Sequence, residues 1–319
     1  MLSFYPRGSD DGAAPSAETL WIDALKPTDT ERKLVEDHTG LALPTPDDLA
    51  EIERSSQLVF QDGVFRLSSP VVANADTDHP GLSHVGLILT PKLLISVRYG
   101  ALKAFESAIE RAADDCAEET PPAIFASLLE AVVDRQADLL ERAREHLDEI
   151  SHGVFRSSPS AIRRVVRSNE QLRVMLRRLG RIGERISLVR ESMLGVGRIA
   201  PFVREAGKAW IAPELQDRLT AVAQDIDSLN QFEEHLSGKV QFLLDAVVGF
   251  IGIEQNDIFK VLTIASVVGI FPTLVAGWYG MNFHNMPEYG WAYGYQFGIG
   301  MILLSTVVPL LWFKWRGWL

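Results

Sequence analysis

The sequence predicts an α+β cytosolic domain (a mixed sheet with helices) followed by a long-helix stalk and a two-helix transmembrane hairpin. Three observations predict it. Short β-branched and aromatic runs bounded by turn signals alternate with helical stretches up to about residue 117, the pattern of an α+β domain. From Pro213 there is no proline or turn cluster until Pro272, which allows roughly 85–90 Å of continuous helix at ~1.5 Å per residue. Finally, Val261–Tyr279 (19 residues) and Tyr289–Phe313 (25 residues) contain no Asp, Glu, Lys or Arg, and each is near the ~20 apolar residues that cross a bilayer.

Composition sets the limits. The mean hydropathy of +0.06 over 319 residues averages two unlike parts, because residues 1–260 have the charge density of a soluble protein. A purely cytosolic enzyme is therefore disfavoured, as is a many-helix transporter, since only two segments are long enough to span. The net charge of −11 disfavours nucleic acid as a partner, because phosphate binding needs a basic surface. The lone Cys116 excludes an intramolecular disulfide and fits a reducing compartment. Met1–Leu20 has no apolar core of a secretory signal, so the large N-terminal part is expected in the cytosol.

Element by element, residues 1–18 are small, polar and punctuated by Gly and Pro, and are expected to be disordered. Residues 19–120 form the α+β domain. In it Thr19–Asp23 is a strand and a Pro27-led helix carries Leu34 and Val35. Gln57–Phe60 and Val64–Leu67 flank Asp62-Gly63 as a hairpin, and His84–Thr90 and Leu93–Tyr99 pair around Pro91-Lys92. Residues 121–212 are an antiparallel helical hairpin broken at Ser157-Ser158-Pro159. Its first arm carries a carboxylate stripe from Glu130 to Asp148, and its second holds nine arginines between Ala161 and Gly197, so the arms are partly complementary. Residues 213–257 are the cytosolic stalk, 258–280 the first transmembrane helix, 281–293 an external loop, 294–313 the second transmembrane helix and 314–319 a basic tail.

Lys260 precedes the first span and Lys314 and Arg316 follow the second, whereas the loop between carries only Glu288. The positive-inside rule then puts the loop outside and both termini in the cytosol. Aromatics at both span ends, such as Trp278, Trp291, Trp312 and Trp315, suit interfacial belts. Two spans cannot enclose a hydrophilic path, so any conduction needs several copies around an axis. Steps of three or four from Asp245 reach Val248, Gly252, Gln255, Phe259, Leu262, Ser266, Ile270, Thr273 and Gly277. That face mixes polar groups for a hydrated ion with Phe259, Leu262 and Ile270 as a dewettable constriction. Periodicity alone fits a packing face between helices equally well, since such faces also favour small residues and Thr.

Tyr279-Gly280-Met281-Asn282, followed by Met286-Pro287-Glu288, resembles the CorA family of divalent-metal transporters. The resemblance extends to Asn256–Thr263, Pro272–Gly277, Lys314–Leu319, Trp21-Ile22-Asp23, Glu51–Ser56 and Leu89–Leu94, so it covers roughly residues 19–319. It implies a homopentameric funnel in the cell inner membrane, a pore lined by the first span, and Mg²⁺ as principal cargo, with Co²⁺ and Ni²⁺ as secondary ions. Gly280, Met281 and Asn282 match the selectivity motif of the outer mouth. Asp245 falls where the family often has an acidic residue at a regulatory metal site between subunits. Mg²⁺ is then both substrate and regulatory ligand, no covalent cofactor is needed, and the partners are further copies of the chain, lipid and divalent cations.

The tail departs from the family, which often ends in a longer basic run than Lys314 and Arg316 provide, and His284-Asn285 stand where the loop is often bulkier or acidic. The alternative within transport is a zinc carrier of the ZntB type, which looks different at the triplet and the following loop. His79, His84, His146 and His152 show no ligand pairing that would favour it. Another class is a non-conducting membrane-anchored scaffold, which leaves the small and polar face at Gly252, Ser266 and Thr273 without purpose. An enzyme fits least: Gly195-Val196-Gly197-Arg198-Ile199-Ala200 mimics a dinucleotide fingerprint, but no strand precedes it.

Overall fold

A computed structural model describes residues 1–5, 15, 19–51, 57–77, 79–115, 120–156, 165–281 and 286–318. The chain forms two units, Met1–Ser157 with Met175–Leu244, and Ser158–Val174 with Asp245–Leu319.

The first unit is built on a sheet of β1 (Leu2–Tyr5), β2 (Trp21–Leu25), β3 (Leu58–Gln61), β4 (Val64–Ala73), β5 (Gly81–Leu89) and β6 (Leu94–Arg98), in the order β1-β2-β6-β5-β4-β3. The β2–β6 pair is parallel and the others are antiparallel, so the sheet is mixed. The β3–β4 turn has Asp62 at φ 53° and Gly63 at φ 77°, the two left-handed residues that an Asp-Gly hairpin turn supplies.

The expectation of disorder over residues 1–18 is corrected at its start, because Leu2–Tyr5 is a paired edge strand. Tyr5 is fully buried with its ring 5.0 Å from Trp21. Leu2 and Phe4 point the other way, onto a core of Ile22, Ala24, Val35, Leu43, Ile88, Ile95 and Val97. That alternation is a strand pattern too short to stand out beside the Gly- and Pro-rich stretch after it. Most of the remainder of that segment, together with Cys116 and the Ser158-Pro159 break, lies outside the described residues.

The Pro27-led helix begins later than its proline, as α1 (Asp29–Thr39). Thr28 is its N-cap: its Oγ1 accepts from the Glu31 amide at 3.3 Å while its own amide donates to Glu31 Oε2 at 2.9 Å, a reciprocal capping box. Helices α2 (Pro46–Leu49), α3 (Lys103–Asp115), α4 (Pro121–Arg156) and α5 (Val165–Ala206) follow. The last two pack antiparallel, with Gln136 Nε2 donating to Ser192 Oγ at 2.7 Å near one end and Gly153 against Met175 near the other. Charges on both arms are answered by the next helix, α6 (Pro213–Tyr279). Arg218 clasps Glu130 at 2.7 and 2.8 Å, Lys239 reaches Asp148 at 2.6 Å, and Glu233 lies 3.8 Å from Arg190. The Gly195-Val196-Gly197 sequence is a packing device. A Cβ on Gly195 would strike Ser69 Oγ and lie 2.9 Å from Pro70 on β4, and one on Gly197 would lie 3.1 Å from Ile226 on α6.

Helix α6 is continuous for 67 residues with Pro272 inside it, about 100 Å at ~1.5 Å per residue. Its residues from Asp245 onward belong to the second unit, with a 3₁₀ turn at Pro287–Gly290 and helix α7 (Gly294–Trp315). Helix α7 extends past residue 313 because its stop signal is Gly317, at φ 73°. The Gly317 amide donates to Lys314 O and the Trp318 amide to Phe313 O, with the Trp318 and Phe313 rings stacked at 5.5 Å. These two bonds and the apolar contact across them satisfy the last carbonyls of the helix.

Candidate functional site

The apolar end of α6 presents its side chains outward: Phe259 is 65% exposed, Leu262 59%, Ile270 53% and Trp278 66%. Both α6 and α7 are long and apolar enough to cross a membrane. Along α6 runs a groove of about 600 Å³ lined by Ala265, Ser266, Gly269, Ile270, Thr273, Leu274, Gly277, Trp278 and Met281. It brings together five residues singled out from the sequence, Ser266, Ile270, Thr273, Gly277 and Met281. Ala265, Gly269 and Leu274 were missed, and Trp278 was read only as an interfacial aromatic, because steps of three or four select one residue per turn, whereas the groove is two wide.

Two threonine hydroxyls on this stretch of α6 are answered within the helix. Thr273 Oγ1 donates to Gly269 O at 2.8 Å and Thr263 Oγ1 to Phe259 O at 2.7 Å. A hydroxyl that donates backward keeps its oxygen lone pairs for an outside donor. At the end of the helix the Gly280 amide donates to Ala276 O at 2.9 Å. A Cβ on Gly280 would lie 3.1 Å from that same oxygen, so close backbone approach, rather than a left-handed φ, is what glycine supplies here.

Asn282 lies outside the described residues, as do Phe283, His284 and Asn285. The described residues continue from Met286, with Glu288 in the 3₁₀ turn. Phe259 and Leu262 sit on α6 before the groove lining begins, and Asp245 is exposed on the same helix about four turns before Phe259. Gly252 has open space around its α-carbon. Lys314 occupies the last turn of α7 and Arg316 caps it, with its guanidinium 5.4 Å from the Trp312 ring, a cation–π contact. Lys260 is paired with Asp257 at 2.9 Å. Among the described residues no three His, Cys, Asp or Glu side chains cluster as a metal site within the chain.

Sequence reasoning also missed the polar pairs buried in the sheet. Arg98 binds Asp23 through Nε and Nη2 at 2.8–3.2 Å, Ser96 Oγ donates to Asp23 Oδ1 at 2.7 Å, and Trp21 Nε1 donates to Ser96 Oγ at 3.0 Å. The pairing spans 75 residues, so no local spacing announces it.

An α+β body, one very long helix with an apolar end, a turn and a second apolar helix define a membrane-protein architecture with two candidate spans. The chain belongs to the CorA-like Mg²⁺ transporter protein family, whose model matches residues 16–315, a family of ion transporters rather than enzymes. It is 30% identical over 306 residues to the magnesium transport protein CorA of Escherichia coli K12, covering 96% of this chain and 93% of that one. Its fold is similar to the complete CorA magnesium transporter of Methanocaldococcus jannaschii, with a TM-score of 0.78, 14% identity and coverage of 98% of this chain and 95% of that one. It is also similar to the ZntB cytoplasmic domain of Vibrio parahaemolyticus, with a TM-score of 0.55, 13% identity and coverage of 73% of this chain and 87% of that one. At such identities the two structures speak for the fold alone.

Proposed function

We propose that the chain assembles, as a pentamer, into an inner-membrane channel that admits hydrated Mg²⁺, driven by the membrane potential and closed by cytosolic Mg²⁺. The observation that carries this reading is the groove on α6 that ends at Met281 of the Gly-Met-Asn triplet, in a chain of the CorA-like family. One subunit offers a groove and not a tube, so copies around an axis are needed to close it. Mg²⁺ holds its octahedral waters at about 2.1 Å and releases them reluctantly. A ring of Asn282 amide oxygens, with backbone carbonyls near Gly280, accepts hydrogen bonds from those waters without stripping them. A carboxylate ring at the same place would hold the ion too tightly to pass it on. No ATP site is needed, because a doubly charged ion gains roughly 4.6 kcal/mol per 100 mV of inside-negative potential.

Phe259, Leu262 and Ile270 supply the constriction, Ser266, Thr273 and Gly277 the wettable stretch, Glu288 draws cations to the outer loop, and Lys314 and Arg316 form a basic cytosolic ring. Asp245 carboxylates from adjacent subunits repel one another until a cation bridges them. Bridging then couples cytosolic Mg²⁺ to closure. Proteoliposomes under an imposed potential test the reading: Mg²⁺ enters, with Co²⁺ and Ni²⁺ as secondary ions, and Asn282→Ala abolishes flux while the oligomer persists on sizing. Flux of Zn²⁺ above Mg²⁺, or wild-type flux in Asn282→Ala, rejects the assignment. Asp245→Asn weakens Mg²⁺ inhibition of the current, and unchanged inhibition removes Asp245 as the sensor.

A further inference from the structure

A second cavity, of about 190 Å³, lies in the first unit between β4, the β4–β5 connection, α4 and α5. Buried Ile182 and Ile186 form its apolar wall with Leu139, while exposed Arg142 and His146 and half-buried Arg185 stand at it beside Asp76. Among its lining residues Asp76 is the one carboxylate, beside Arg142 and Arg185. The single carboxylate of Asp76 is shared by Lys103, by Arg135 at 2.9 Å and by Arg142 at 2.6 Å. Arg135 has one further partner, Asp138 at 3.9 Å. Arg185 donates Nη2 to the carbonyl oxygen of Thr77 at 3.0 Å and has no carboxylate within ion-pair reach among the described residues. An arginine held by a neutral carbonyl keeps its full charge and most of its five N–H donors. Among the residues that line the cavity, two arginines and a histidine thus stand with one carboxylate at the mouth of an apolar recess.

We propose that this pocket binds a small phosphate-bearing anion, with the phosphate on Arg142, Arg185 and His146 and a group no larger than a single ring against Ile182, Ile186 and Leu139. The planar guanidinium fork matches phosphate oxygens in pairs, and an apolar cavity of about 150 Å³ is already large enough for benzene. Inorganic phosphate and a phosphate monoester share the charged half of the recognition, and only the monoester uses the apolar half.

Calorimetric titration of the full-length protein in detergent, at fixed ionic strength, separates them with phenyl phosphate, inorganic phosphate and phenol as probes. Phenyl phosphate is expected to bind about tenfold tighter than phosphate, and phenol not measurably. Arg142→Gln and Arg185→Gln are each expected to weaken phenyl phosphate about tenfold, and Leu139→Trp, which fills the recess, to reduce it to the level of phosphate. Thermal unfolding of each variant establishes that it is folded, and Arg142 lies at the surface, where its replacement does not disturb the core. Three results overturn the proposal: no heat from either phosphate compound at about 10 mM, equal binding to wild type and the Arg142→Gln/Arg185→Gln double variant, or phenol binding as tightly as phenyl phosphate.

Discussion

Asp76 shows how much one side chain can tie together. Lys103 foremost, then Arg135 and Arg142, hold its carboxyl down to about 2 from the ordinary 3.8 against the opposing pull of burial. A depressed carboxyl pKa contributes stability that is present above the unfolded value and lost as the pH falls through the folded one. The window is therefore pH 4 to 2. With the side chain 34% exposed, solvent screening reduces the contribution to about 1 kcal/mol. Asp76→Asn is expected to lower the unfolding temperature at pH 7, and the gap to wild type should close as the pH approaches 2. A gap that stays constant with pH contradicts the assignment. Deeper in the sheet, Arg98→Met strands the Asp23 carboxylate, which is 2% exposed, at a cost of about 3–5 kcal/mol. Denaturant unfolding followed by Trp fluorescence measures it, since Trp21 is hydrogen-bonded to Ser96 of the same network. Trp21-Ile22-Asp23 was legible as a strand, but the burial of its aspartate was not, because burial depends on an arginine whose proximity only the parallel β2–β6 pairing creates.

Elements were legible where a local signal had one meaning. Asp62-Gly63 specified its hairpin, Pro91-Lys92 the next one, and the charge-free segments the apolar ends of α6 and α7. Signals with two meanings were settled only by packing. Gly195-Val196-Gly197 could open a helix under a phosphate or sit inside a helix pressed on a sheet, and it does the latter. Gly195→Val is thus expected to cost about 1–3 kcal/mol through overpacking against Ser69 and Pro70. Thermal unfolding reads this, and an unaffected melting temperature shows that β4 yields. At the end of α7, Gly317→Ala forces a Cβ into the left-handed region for about 1–2 kcal/mol. Helix content and unfolding temperature of the detergent-solubilised variant should both fall, because the bonds from Gly317 and Trp318 loosen together.

At the scale of the whole molecule the chain is expected to fractionate with membranes, to resist extraction by high salt and to be released by detergent. The exposed Leu262, Leu274, Leu303 and Leu311 have no cover among the described residues, and lipid or further copies are expected to bury them. Recovery in the salt wash contradicts two spans. The two-span plan and the mixed α+β body were readable from charge distribution and hydrophobic period. Asn282, the last residue of the Gly-Met-Asn triplet, lies outside the described residues. One feature of α6 reaches further than its length. Pro272 has no amide hydrogen, so the carbonyl of Val268, one turn earlier, loses its usual partner in the middle of an oily stretch. Hydrocarbon offers it nothing. An acceptor without its usual donor gives a molecule of solvent a reason to linger among the apolar side chains of that turn, and Pro272→Ala, by restoring the missing bond, is expected to slow amide hydrogen exchange in that turn of the detergent-solubilised protein.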